Sequence, residues 1–174
     1  MKQIRKNVFE TNSSSTHSIA IPKKVNNYVN RINFYLGEYG WEDGEANPAN
    51  YLYTALICLE DFDRLEHLKE ILDRHNIEYR FEEPRKNSWG YYDCNIDHSY
   101  ELQDFLSAVF CDEELLLRYL TDGRVYTGND NSSEYEDMCY CAYPTITDWD
   151  GSSRKKYDNP NHDAENYDYF FKGN

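Results

Sequence analysis

The chain has 174 residues, enough for one domain that buries about 70% of the surface its unfolded form exposes and too few for two independent cores. Its formal net charge is −14, and 17 tyrosines raise the aromatic share to 16%, so much of the apolar mass consists of rings that also carry a hydroxyl. Residues 1–24 set five cations against Glu10 alone, a local +4 that leaves −18 on the remainder; such a body repels free nucleic acid and favours a basic protein surface.

No apolar run is long enough to span a bilayer, and the first residues lack the apolar stretch of a secretory signal, so the expected location is the cytoplasm. Five cysteines, Cys58, Cys94, Cys111, Cys139 and Cys141, are odd in number and lack CxxC pairing, which favours reduced thiols. Cys139 and Cys141 have no second pair at zinc-site spacing, so neither a metal nor another cofactor is expected.

In chain order, short apolar segments at residues 4–9 and 17–21 read as two strands joined by a long turn, the second ended by Pro22. Residues 31–36 (RINFYL) form a further strand, closed by the turn-like GEYGWEDGE at 37–45. Asn47-Pro48 reads as a cap followed by proline at the first helical position, opening a helix through Tyr51, Leu52, Ala55 and Leu56. The next helix, DFDRLEHLKEILDRHN, carries an apolar stripe of Leu65, Leu68, Ile71 and Leu72, with Glu70 and Arg74 spaced to pair.

Ile77, Tyr79 and Phe81 alternate with charges as a half-buried strand does, and a loop with Pro84, Asn87, Ser88 and Gly90 follows. Leu102, Phe105, Leu106, Val109 and Phe110 line one face of a helix that Ser99 is placed to cap. Asp112 caps another through Leu115, Leu116 and Leu120, stopped at Asp122-Gly123. Arg124 to Thr127 then read as a strand entering the polar turn GNDNSS. The expected fold is α+β, a mixed or mainly antiparallel sheet with about four helices, in a single domain over residues 1–150. Residues 151–174 read as a loop-rich acidic and aromatic tail, docked through Tyr167, Tyr169, Phe170 and Phe171.

Three polar clusters fall at element edges. The stretch FETNSSSTHS packs four serines and two threonines into residues 9–18; its first reading is loop organisation through local side-chain to backbone bonds. In its second reading Asn12, Ser13, Ser14 and Ser15, with Asn129, hold an anion while His17 moves a proton. The stretch has neither the spacing of a phosphate-binding loop nor a GxSxG nucleophile turn. A nucleophile set of Ser14, His98 and Asp130 can be composed, and His17, Asp97, His98 and Asp130 are acceptable metal ligands. Adjacent Asp97 and His98 would point apart on a strand, which weakens the metal option. In GEYGWED, Tyr39 and Trp41 flanked by Glu38, Glu42 and Asp43 form either a turn folded back on the core or an aromatic protein-binding tip.

Taken together, VFETNSSSTHSI, FYLGEYGWE and the pair IDHS with YTGNDN resemble a group of small uncharacterised proteins of Gram-positive bacteriophages and mobile elements, over most of the chain up to about residue 135. The resemblance implies an accessory gene expressed in the cytoplasm of an infected host cell. The expected function is accordingly an interaction protein that inhibits a host nucleic-acid-handling or defence enzyme, for example an anti-CRISPR acting as an acidic nucleic-acid mimic. Its carboxylates include Glu134, Glu136, Asp137, Asp148 and Asp150, in a run from Asp130 to Asp150 that holds six acidic residues and no basic one. The alternative is a small enzyme or a nucleotide- or phosphate-binding protein built on the serine stretch with His98 and Asp130.

Overall fold

The structure, a computed structural model, describes residues 15–40, 44–129, 145–147, 153–155 and 165–172. The strand expected at 4–9 and most of the serine stretch lie outside these. On strand β1 (Ser15–Pro22) Ser15, His17, Ile19 and Ile21 share one face and are all buried, Ser18 on the opposite face is buried too, and Pro22, which has no N–H to donate, is the last residue. β2 (Arg31–Phe34) alternates exposed and buried positions. It ends before Tyr35 and Leu36 because side chains capture the next two N–H groups: Tyr35 donates to Asn50 Oδ1 and Leu36 to Glu82 Oε2. Two short strands occupy part of the segment expected to be a turn: β3 (Glu38–Tyr39) inside it and β4 (Gly44–Ala46) running one residue past its end.

Helix α1 (Pro48–Cys58) starts as its sequence predicts, with Asn47 Oδ1 accepting the Asn50 N–H and proline at the first position. It is apolar on every side, and Ala49 and residues 51–57 are buried, which makes it the central helix of the core. α2 (Phe62–Arg74), capped by Asp61, buries Leu65, Leu68, Ile71 and Leu72. Its Arg74 turns away from Glu70 and reaches Glu113 at 2.5 Å, bridging two helices where the spacing predicts a pair within one. β5 (Glu78–Phe81) pairs in parallel with β2, stacking Phe81 on Phe34 at 4.4 Å. β6 (Asn95–Ile96) pairs in parallel with β3.

The cap expected from Ser99 does not form. His98 takes that position in a left-handed conformation, Ser99–Leu102 make a 3-10 turn, and α3 (Gln103–Cys111) follows with Phe105, Leu106 and Val109 buried. α4 (Glu113–Asp122) opens as expected, Asp112 Oδ1 accepting the N–H groups of Glu114 and Leu115.

β7 (Arg124–Asn129) runs through Gly128 and Asn129, which the sequence assigns to a turn, because the ladder sets Thr16 opposite Gly128 and Ser15 opposite Asn129. β8 (Thr145–Thr147) and β9 (Ser153–Lys155) pair antiparallel. β10 (Tyr167–Lys172) pairs antiparallel with β1, in register from Lys172 opposite His17 to Tyr167 opposite Pro22.

These elements give an α+β fold with four α-helices among the described residues. The main sheet has the order β10-β1-β7-β4, with every neighbour antiparallel. One core joins Ile19, Ile21 and Val125 of that sheet to α1, to Leu68, Ile71 and Leu72 of α2, to Phe105 and Leu106 of α3, and to Leu116 and Tyr119 of α4. Among the described residues no helix is long and apolar enough to cross a membrane.

Candidate functional site

The serine stretch delivers its last residues into the sheet. His17 is 0% exposed, and its Nδ1 shares a hydrogen bond with the Tyr51 hydroxyl at 2.6 Å. Thr127 lies opposite His17 on β7, is buried as well, and donates to the Gly44 carbonyl at 3.4 Å. Ser15, His17 and Thr127 thus form a polar end on an otherwise apolar sheet face. Burial of hydroxyls demands partners, because an unsatisfied one costs about 1–3 kcal/mol. The buried tyrosine hydroxyls of the core are partnered as well: Tyr119 donates to the Pro48 carbonyl at 2.8 Å and Tyr53 to the Glu82 carbonyl at 2.6 Å. Burial pushes the Tyr51 and Tyr119 hydroxyls well above the usual tyrosine pKa, and Tyr53 up to about 12, with nearby Glu82 adding to the latter.

From Tyr51 the polar end continues to the second candidate cluster. The Tyr39 ring lies 5.3 Å from that of Tyr51, folded back over Gly37, where a Cβ would come within 2.8 Å of it. On the backbone, the Asp97 N–H donates to the Tyr39 carbonyl at 2.9 Å. His98 has φ +53°, and this left-handed turn removes the objection that adjacent side chains point apart. Its Nε2 sits 3.7 Å from Asp97 Oδ1, its Nδ1 3.4 Å from Glu101 Oε1, and its ring stacks on Tyr100 at 5.7 Å.

Between His17 and the Asp97-His98 pair lie Tyr51 and Tyr39, linked by a ring contact and by a backbone bond from Asp97 to Tyr39, two residues the sequence reading did not assign to a catalytic or ligand-binding site. Ser15 and Asn129 face each other across the ladder at the same polar end. Asn12, Ser13, Ser14 and Asp130 lie outside the described residues. Among the described residues no group of three His, Cys, Asp or Glu side chains is arranged to hold a metal ion.

Of the expected partner-binding residues, Glu38 is exposed on β3, whereas Tyr39 turns inward. Trp41, Glu42, Asp43, Glu134, Glu136, Asp137, Asp148 and Asp150 lie outside the described residues. A different aromatic tip stands between β5 and β6. Asn87 organises it: its N–H donates to the Tyr91 carbonyl at 2.8 Å, and its Oδ1 accepts the N–H groups of Trp89 at 2.9 Å and Tyr91 at 3.1 Å. Gly90 supplies φ +84°, which an L side chain rarely adopts. Lys86 fixes the base, with its ammonium 4.3 Å from the Tyr92 ring centre and 3.7 Å from Glu60. Held outward by this turn, Trp89 is 83% and Tyr91 73% exposed.

No family model, curated protein or solved structure matches the chain. Arg64 of α2 donates to Gln103 and Ser107 of α3, and Arg74 of α2 pairs with Glu113 of α4, so three helices present one continuous layer. Residues 101–122 of that layer carry six carboxylates against Arg118 alone. Arg118 is engaged elsewhere, on the Pro22 carbonyl at 2.7 Å and Asp168 at 3.5 Å. Asp63, Glu70, Asp104, Glu114 and Asp122 are exposed on these helices and take part in no ion pair among the described residues. Their negative field is left for solvent or a partner.

Proposed function

We propose that this protein is an acidic interaction module of phage type that acts in the host cytoplasm, occupying the basic groove of a nucleic-acid-handling or defence enzyme as a mimic of nucleic acid. An RNA-guided nuclease is the concrete target. The observation that carries the reading is a hydrogen-bonded turn presenting Trp89 and Tyr91 to water on a molecule whose helical layer keeps exposed carboxylates unpaired among the described residues. Aromatic anchors supply most of the energy at protein interfaces, and unpaired carboxylates supply steering toward a cationic groove. The resemblance of residues 8–19 to phage-encoded proteins supplies the setting.

The test is a cleavage assay with purified RNA-guided nucleases and other basic-grooved nucleases. Inhibition is expected at stoichiometric dose and is relieved by salt and by the paired charge reversal Asp104→Lys/Glu114→Lys. Unaltered cleavage across the panel contradicts the reading.

A second reading, a small enzyme or phosphate-binding protein, draws on the placement of Tyr51 and Tyr39 between His17 and the Asp97-His98 pair. It predicts that a nucleotide or inorganic phosphate raises the melting temperature and that Ser14→Ala and His98→Ala abolish that rise while leaving the unliganded melt in place. A melt indifferent to both ligands removes it.

A further inference from the structure

We propose that Cys58 and Cys94 form a modification site, an intramolecular clasp that closes to a disulfide on reaction with a small-molecule disulfide. Cys58 is the last residue of α1 and Cys94 immediately precedes β6. Their sulfurs lie 3.9 Å apart, and Cys58 Sγ is also 3.8 Å from the Cys94 carbonyl oxygen. Both sulfurs are carried by fixed backbone: the Leu59 N–H donates to the Ala55 carbonyl at 3.1 Å at the helix end, and the Asn95 N–H donates to the Gly37 carbonyl at 3.1 Å. The thiols are already in contact, and side-chain rotation must close roughly 2 Å to reach a sulfur–sulfur bond.

Access decides the order of events. Cys58 is half-buried and Cys94 is buried, so the Cys58 thiolate is the one that meets the reagent. It attacks one sulfur of the external disulfide, breaking that bond, releasing one small thiol and leaving a mixed disulfide on Cys58. Cys94 then loses its proton to solvent and attacks Cys58 Sγ, and the second small thiol leaves. Two protein thiols are oxidised and one external disulfide is reduced to two thiols. Burial pushes both thiols up, Cys94 to about 12, which keeps the pair slow to react under reducing conditions. Cys111, exposed on α3, has no second sulfur beside it among the described residues. Closure links the central helix to the base of the Trp89 tip and encloses α2, β5 and the tip in one covalent loop. The geometry stands whatever the tip binds.

The experiment uses the folded wild-type chain incubated with oxidised glutathione, then digested without reductant for peptide mapping. The expected result is a linked peptide joining Cys58 and Cys94, two hydrogens lighter than the sum of its two parts, and a melting temperature raised by roughly 5 °C or more, because the cross-link restricts the unfolded chain. In Cys94→Ser, glutathione should instead remain on Cys58. The proposal is overturned if Cys58 and Cys94 stay reduced while Cys111 takes up glutathione, or if the link appears only in denaturant. The wild-type map decides even where the variant fails to fold.

Discussion

Replacing Tyr51 with alanine is expected to lower stability by about 3–5 kcal/mol, the range for deleting a large buried aromatic ring, and the melting temperature by roughly 10 °C or more. The side chain is fully buried at the junction of helix and sheet, with the His17 ring at 5.6 Å, the Tyr39 ring at 5.3 Å, and its hydroxyl bonded to His17 Nδ1. Truncation removes ring contacts on both sides and one hydrogen bond in a place that water does not reach. Tyr51→Phe separates the two losses: it keeps the ring and is expected to cost only about 1–3 kcal/mol. Denaturant unfolding with an unchanged slope provides the comparison. If alanine and phenylalanine cost the same, the ring does not carry the packing assigned to it.

Alkaline solution should unfold the protein in a way that follows from the same tyrosines. A tyrosine is neutral when protonated, and burial raises the pKa of Tyr51 and Tyr119 well above the ordinary value. The stability tied to their protonated state is fully present below pH about 10, where the unfolded chain also holds these protons. Above that pH the unfolded chain releases two protons that the folded chain keeps, so stability falls by about 1.4 kcal/mol per pH unit for each group, until the folded pKa is reached. Tyr53, at about 12 in the fold, adds to the same trend. Tyrosinate absorbance followed together with far-ultraviolet dichroism measures this. Exposed tyrosines should ionise first, with Tyr51 and Tyr119 ionising only within the unfolding transition. Full ionisation of all 17 tyrosines in a protein that keeps its native dichroism would contradict the burial described.

The helices were the legible part of the sequence because their signals are local. Asn47 and Asp112 cap their helices as read, within three residues of the N–H they accept, and the stripe of Leu65, Leu68, Ile71 and Leu72 faces inward as its spacing requires, whereas the cap read at Ser99 gave way to His98. β1, β2, β5 and β7 were expected as strands, but which strand pairs with which was not legible. β10 pairs with a strand near the other end of the described chain, and a six-residue segment with the pattern YDYFFK gives too little alternation to announce such a partner. Gly128 and Asn129 look like turn residues and become strand because β1 pairs with them.

The candidate site divides in the same way. His17 and Asp97-His98 were visible as polar residues at element edges. What lies between them is two hydroxyl-bearing rings, Tyr51, which reads as a core position of its helix, and Tyr39, which the sequence offered as part of a binding tip and the fold turns inward onto Tyr51. The left-handed turn at His98 carries no glycine to mark it. Turn chemistry at Asn87 and Gly90 was readable, but the outward direction of Trp89 depends on tertiary structure that the stretch itself does not encode.

A binding titration against an RNA-guided nuclease, at low and at physiological salt and with Trp89→Ala beside the wild type, tests the interaction module most directly. The account predicts affinity that falls as salt rises, and a loss of roughly 30-fold or more in Trp89→Ala at an unchanged melting temperature. Affinity insensitive to salt and equal for the two proteins would contradict it.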